Sequence, residues 1–290
     1  MFGAQNVTRA WIFLVALALM WGTSFAAMSK ALAGLDPLAI MGFRLAIGAV
    51  LLVCIAAVMQ TGRPMLSAWW QYGGIAVLGN CVPFSLIAWG QLSVSSAVAG
   101  TVMGTMPMVT AALAVGLGIE RLTRGQWLGL LVGFVGLCML SLGQARLAGD
   151  LSGIAAIVTA VLCYALSTLI ARKGPDKNAL RAGAATLSVA GVVGLTIWGI
   201  WGQDLGNAQP VHWGYVLYLA MFPTALAVVL YFAVVRIAGP VFLSQVNYMV
   251  PVIAFLIGAT LMREPIFTEL PLAIALILAG LYLASRVVRR

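Results

Sequence analysis

Catalysis would need acids, bases or nucleophiles that can meet, and in this 290-residue sequence they are few and scattered. His212 is the single histidine and stands near the start of an apolar segment, where it reads either as a solvated residue or as a proton shuttle. Asp36, Asp150, Asp176 and Asp204 fall in the connections between apolar segments, so no two of these carboxylates can pair inside one as an aspartyl protease requires. Neither H-E-x-x-H nor G-x-S-x-G occurs, which removes zinc-hydrolase and serine-hydrolase chemistry at the first residue. Cys54, Cys81, Cys138 and Cys163 lie inside apolar segments without metal-ligand spacing and are expected to be buried small hydrophobes. No enzyme activity, cofactor or metal is expected.

Binding is better provided for. Asn80 and Thr224 each stand in the middle of an apolar segment, 144 positions apart, where a polar side chain is costly unless it meets a partner or a cavity. Ser96, Gly100 and Gly104 recur every four residues and leave a smooth helix face. At the same spacing Gly100 is answered by Ser244, Gly104 by Tyr248 and Met103 by Asn247. One copy opens space and the other supplies hydrogen-bonding groups and a ring, the asymmetry a pocket for an asymmetric molecule needs. The alternative is plain interhelical packing, with Tyr248 filling a groove. Arg44, about two turns into its segment, could offer a fork to a carboxylate or snorkel outward beside Lys30. Pro83, Pro107, Pro223 and Pro251 fall within segments, where the ring permits a kink and a hinge, or a static bend. Glu120 and Glu264 open charged connections, as caps or as partners of Arg121 and Arg263 rather than as proton carriers.

The elements that must position these residues follow from composition. With 63% hydrophobic and 8% charged residues, the chain is far outside soluble usage. Hydropathy, broken at charges, Gly and Pro, predicts helices near 10–32, 37–60, 69–91, 95–119, 125–143, 151–171, 180–201, 212–235, 241–262 and 269–287. Helix is preferred to barrel strand because no polar and apolar alternation is present. Arg9 and Ala31-Leu32-Ala33 resemble a signal peptide and its cleavage site, but the run between them is too long, so a retained first helix is expected. The net charge of +9 comes from basic residues scattered singly at segment ends, which argues for topology and against nucleic acid. With a cytoplasmic amino terminus the inner regions hold Arg9, Arg63, Arg121, Arg124, Arg172, Lys173, Lys177, Arg181, Arg236, Arg286, Arg289 and Arg290, against Lys30, Arg146 and Arg263 outside. Both termini are therefore expected in the cytoplasm. Trp11, Trp21, Trp69, Trp70, Trp127, Trp198 and Trp213 lie mostly near segment ends, as an aromatic belt would. Gly125, Gly129 and Gly133 give the fifth segment a stripe that is either a dimer face or an internal seam, and internal packing with a monomeric protein is favoured.

The chain also repeats itself. Pro107 and Glu120 match Pro251 and Glu264 at an offset of 144, and Gly136 matches Gly280; near the start of each half an offset of 143 pairs Ser24 with Ser167, Lys30 with Lys173 and Gly48 with Gly191. Five helices is an odd number, so the second copy must be inverted relative to the first. The expected fold is an all-α membrane protein of ten transmembrane helices, two inverted five-helix repeats (residues 1–145 and 146–290) around a central cavity.

Trp21-Gly22-Thr23-Ser24-Phe25, the Phe43-Arg44 pair, Pro107 followed by Glu120-Arg121-Leu122, and Arg263-Glu264-Pro265 with Ala279-Gly280 carry a resemblance in the right order over almost the whole chain. Together they resemble EamA-type members of the drug/metabolite transporter superfamily. The resemblance implies a cavity lined chiefly by helices 1, 3, 4, 6, 8 and 9, with helices 5 and 10 outside. Carried over residue by residue, it puts Ser24, Asn80, Phe84, Met103, Tyr164, Ser167, Thr224, Asn247 and Tyr248 on cavity helices. Arg44 matches the family's helix 2 arginine but has Leu187 at the repeat position, so any role for it is one-sided. The implied function is a bacterial inner-membrane exporter of aromatic and other neutral amino acids or similar small metabolites, working by alternating access. Efflux of hydrophobic drugs is the alternative within transport, and a membrane enzyme or assembly subunit the alternative outside it. The apolar, aromatic lining, without a midplane charge, suits a neutral substrate.

Overall fold

The computed structural model describes residues 4–90, 93, 102–142, 150–202, 205, 208–250, 252–253 and 270–285. The helices are α1 (Ala4–Leu32), α2 (Pro37–Val58), α3 (Trp69–Ala76, Val77–Cys81 and Val82–Gly90 in sequence), α4 (Met106–Gly116) and α5 (Arg124–Leu142). The second half supplies α6 (Leu151–Lys173), α7 (Ala179–Trp201), α8 (Pro210–Ala238), α9 (Pro240–Ser244, resuming over 246–250) and α10 (Leu270–Ser285). The 22 residues of α2, 23 of α6 and of α7, and 29 of α8 are each long and apolar enough to cross a bilayer. Their outer faces carry exposed aliphatics such as Val50 and Val192, a surface that only lipid can cover without penalty.

Local signals set the helix starts. Pro37 opens α2, and Asp36 accepts from the backbone N–H groups of Leu38 and Ala39. Asp150 accepts from Ser152 at the start of α6, and Asn178 from Arg181 at the start of α7. Two of the loop carboxylates are thus caps. Between α8 and α9 stands the single residue Gly239, at φ 90°, a conformation that a side chain would strain. The first helix begins at Ala4, so Arg9 lies inside it rather than ahead of it.

The inversion can be read from glycine contacts. Gly42 abuts Gly194, Ala46 abuts Gly191, and Gly48 meets Leu187, so residue numbers rise along α2 as they fall along α7. Gly48 and Gly191, the repeat pair, lie on this one antiparallel seam. The α5 and α10 helices form a second such seam, where Gly133 faces Gly280 and Gly136 faces Ile277. At the 144-residue offset these two contacts are images of each other. The same pseudo-two-fold relation pairs the α1–α8 contact with α3–α6. The glycine stripe of α5 is therefore an internal seam: Gly129 and Gly133 both touch α10, while Gly125 meets no other helix among the described residues. A Cβ on Gly129 would lie 2.4 Å from the backbone nitrogen of Ala284 and 2.8 Å from the Gly280 carbonyl oxygen. Backbone cannot rotate aside, so Gly129→Ala is expected to lower stability by about 1–3 kcal/mol through overpacking, measured as thermal melting in detergent.

Other expectations need correcting. Cys54 is exposed on the outer face of α2; Cys81 and Cys163 are buried and Cys138 half-buried. Trp21 is no belt residue, since its indole N–H donates to the Pro223 carbonyl at 3.2 Å inside the bundle. Pro107 does not kink a continuous helix but starts one, after a turn at 104–105. Pro223 lies in a π-helical turn, and Pro83 stands two residues after the end of another. Pro251, Glu264, Ser96 and Gly100 lie outside the described residues.

Candidate functional site

The middles of α3 and α8 share a device that no spacing in the sequence announces. Val77–Cys81 and Met221–Leu226 are π-helical turns, each a widened loop of backbone, and they begin at positions related by the 144-residue offset. Such insertions re-aim side chains and recur at functional sites. Asn80 and Thr224 sit within them. The buried Asn80 amide donates to the Ile75 carbonyl at 3.1 Å, five residues back, while among the described residues no donor reaches its Oδ1.

Arg44 gives this level its charge. Its side chain does not snorkel: it is 5% exposed, and Nε and Nη2 both donate to the Thr224 hydroxyl, at 3.0 and 2.8 Å. The guanidinium carbon lies 4.5 Å from the centroid of the Phe84 ring, and Tyr164 of α6 stands in the neighbourhood of the same cation. Four helices (α2, α3, α6 and α8) thus converge on one guanidinium. Among the described residues no carboxylate reaches it, the one ion pair being Arg181 with Asp176. Thr224 is neutral, so hydrogen bonding is satisfied in part while the charge is not balanced, an arrangement that costs several kcal/mol away from water. The expectation of a lining without midplane charge is overturned, because helix 2 reaches into the bundle where α8 is half-way through its span.

The remaining candidates divide. Tyr164 occupies in α6 the place of Trp21 in α1 at the 143-residue offset, and one turn on Ser167 packs its hydroxyl where a Cβ on Gly79 would be, 2.3 Å away. The Tyr231 hydroxyl is enclosed beside Ser167 and Thr168 and extends the polar group. Sequence reasoning missed it, although it falls two turns after Thr224. Ser24 donates back to the Trp21 carbonyl at 2.7 Å, and among the described residues no hydrogen bond links it to Arg44 or Thr224. Met103 packs on Ile157, and the Asn247 amide donates to the Met106 sulfur and the Ser244 carbonyl, both at 3.0 Å, so these two serve the α4–α6 and α4–α9 crossings.

Tyr248 is a correction. It is fully buried, its hydroxyl donates to the Leu130 carbonyl of α5 at 2.8 Å, and its ring would meet a Cβ on Gly133 at 2.8 Å. It fills the glycine groove of α5 and faces away from the Arg44 cluster. The physical reason is volume: the small-residue stripe leaves a slot that an aromatic ring fills at interior density.

A second polar assembly closes one end of the bundle, the end that carries the connections 59–65, 117–123 and 174–178. Asp176, in the 174–178 connection, is fully buried. Its carboxylate accepts from Arg181 Nε and Nη2 at 3.0 and 2.8 Å, from the Tyr72 hydroxyl at 2.6 Å and from the Asn178 N–H at 3.0 Å. Its backbone N–H donates to Gln71, and Arg236 donates to its carbonyl. Arg181 also reaches the Thr61 carbonyl at 3.0 Å. Burial opposes the charge, but the Arg181 guanidinium and the Tyr72 phenol outweigh it and hold the carboxyl below its ordinary range. Four segments are tied through one acid. The one clue in sequence is an aspartate among Arg172, Lys173 and Lys177. Nearby, Glu120 lies against Gly239 and accepts from the Val241 N–H at the start of α9; burial pushes its carboxyl up to about 7 despite that bond and Arg172. It is a cap, and it does not pair with Arg121.

Comparison with known proteins adds the following. The profile described as "EamA-like transporter family" matches residues 8–142 and again 151–286. The "Uncharacterized inner membrane transporter YedA" of Escherichia coli (strain K12) is 26% identical over 278 residues, 94% of this chain and 89% of that protein. The "Uncharacterized transporter YvbV" of Bacillus subtilis (strain 168) is 24% identical over 96% of this chain and 92% of its own. "Protein PagO" of Salmonella typhimurium is 24% identical over 94% and 91%. A solved crystal structure shares the fold with a TM-score of 0.80 over 98% of both chains at 19% identity.

Proposed function

Because the chain belongs to the EamA-like transporter family, and is thus a multi-pass inner-membrane transporter and not an enzyme, we propose that it exports neutral, above all aromatic, amino acids or similar small metabolites. The observation that carries this reading is Arg44, a buried guanidinium on the Phe84 ring with a neutral hydroxyl as partner and, among the described residues, no acid of its own. A substrate carboxylate would balance that charge through the unspent Nη1, a charge-assisted bond stronger than a neutral one. An aromatic or aliphatic side chain would lie against Phe84, Tyr164 and Tyr231, and the Asn80 Oδ1 is a free acceptor for an ammonium. A hydrophobic cationic drug would be repelled by the same guanidinium, which disfavours the efflux alternative.

The repeats, divided near residue 145, would move against each other in alternating access, with the widened turns of α3 and α8 as the places where backbone can give. The Asp176 assembly lies at the end we assign to the cytoplasm, because Arg63, Arg121, Arg124, Arg172, Lys173 and Lys177 gather there, and both termini are assigned to the same side. The glycine stripe of α5 is consumed internally, which supports a monomer. Because no carboxylate stands beside Arg44 among the described residues, facilitated diffusion is favoured over proton antiport. Purified protein in liposomes is expected to exchange labelled phenylalanine with no ion gradient present. Strict dependence on a pH gradient would overturn the uncoupled mechanism, and exchange of drugs but of no neutral amino acid would overturn the substrate class.

A further inference from the structure

A groove of about 620 Å³ runs down the outside of the bundle between the last turns of α2 and the first turns of α7. It is separate from the Arg44 cluster, and only its floor, Ala184 and Ala185, belongs to the core. Val53 and Val189, 47% and 38% exposed, are its walls, and Ala184 and Ala185 form its floor. These are surfaces that face acyl chains.

The mouth has a different chemistry. The connection after α2 folds over it, with φ of 50° at Gln60 and 80° at Gly62, and sets Arg63 on the rim opposite Arg181. Arg63 is exposed and has no carboxylate partner among the described residues. Arg181 spends three of its five donors on Asp176 and Thr61 and keeps a 22% exposed side chain. The depth is that of lipid headgroups, because Trp69 and Trp70 stand exposed on the adjoining start of α3. An apolar trough below two guanidiniums at headgroup level complements one class of molecule.

We propose that this groove binds an anionic phospholipid, an acyl chain lying between α2 and α7 and the phosphate bridging Arg63 and Arg181. Two forks present the planar donors that phosphate oxygens accept, and a zwitterionic headgroup would bring its own ammonium against them. The site also touches the Asp176 assembly, since Arg181 and Tyr72 line the groove and bond Asp176 as well. Lipid bound here would brace the closed end of the bundle. The inference depends on the membrane placement of the chain and not on the transported substrate, so its test needs no transport.

Thermal melting in detergent, titrated with phosphatidylglycerol or phosphatidylethanolamine, tests it. Phosphatidylglycerol is expected to raise the melting temperature of the wild-type protein, and phosphatidylethanolamine to do so little at the same concentrations. Arg63→Gln should raise the phosphatidylglycerol concentration needed for half the effect about five-fold, the worth of one basic residue beside an anionic surface. Ala57→Trp, filling the trough from its exposed wall, should abolish the response to phosphatidylglycerol while the protein without lipid melts as before. Equal stabilisation by both lipids, or wild-type titrations from both variants, would overturn the proposal.

Discussion

Arg44→Gln is expected to lower transport of a carboxylate-bearing substrate about a hundredfold while leaving the protein at least as stable as before. Losing one side of a buried, hydrogen-bonded charge pair costs roughly 2–5 kcal/mol, and each 1.4 kcal/mol is tenfold. In the empty protein, however, among the described residues the guanidinium has the Thr224 hydroxyl, the Phe84 ring and the neighbouring Tyr164, and no carboxylate, to offset its desolvation. Removing a buried charge that lacks a counter-ion relieves that cost, so melting should hold or rise. A purely structural arginine would behave the other way, its loss lowering stability. Phenylalaninamide supplies the second arm: the wild-type protein should prefer phenylalanine strongly, and Arg44→Gln should scarcely distinguish the two. Wild-type rates and selectivity in the variant would remove Arg44 from the site.

Asp176→Ala should be the most damaging change at the closed end, lowering stability by about 3 kcal/mol, the scale of breaking a buried ion pair from one side. It would strand the Tyr72 hydroxyl and the Asn178 N–H along with two donors of Arg181. Conversely, Asp176→Glu keeps the charge but displaces it by a methylene, and should recover part of the loss. The acidic limb of a stability profile gives an independent check. Because the carboxyl titrates below its ordinary range in the folded protein, its contribution is complete above that range and fades as pH falls through the lowered value. In Asp176→Ala that limb should flatten. An unchanged melting temperature would show that the assembly ties nothing.

How much of this was legible depends on whether a residue acts through periodicity or through distance. The repeat offset placed Asn80 and Thr224 at one depth, and the π-helical turns keep them there, because a repeat preserves local geometry. The segment pattern located α2, α6 and α7 within a few residues, since their caps at Asp36, Asp150 and Asn178 are local chemistry. Arg44 was visible as an oddity but its direction was not, for snorkelling and turning inward differ only in a rotamer and in what α8 presents 180 positions away. Tyr248 was misread for a related cause: the offset revealed that a ring replaced a glycine, yet the slot it fills belongs to α5, outside the compared pair. The Asp176 assembly joins residues from Thr61 to Arg236, and no window along the chain contains it.

The antiparallel seam of Gly42 against Gly194 also bears on how the protein is made. At 5–20 residues per second, about 8–30 seconds separate synthesis of Gly42 from synthesis of the Gly194 surface that covers it. Through that interval the small-residue face of α2 stands in the bilayer without the surface that covers it in the finished protein. The seam that joins the halves in the finished molecule can therefore close only once α7 has been made.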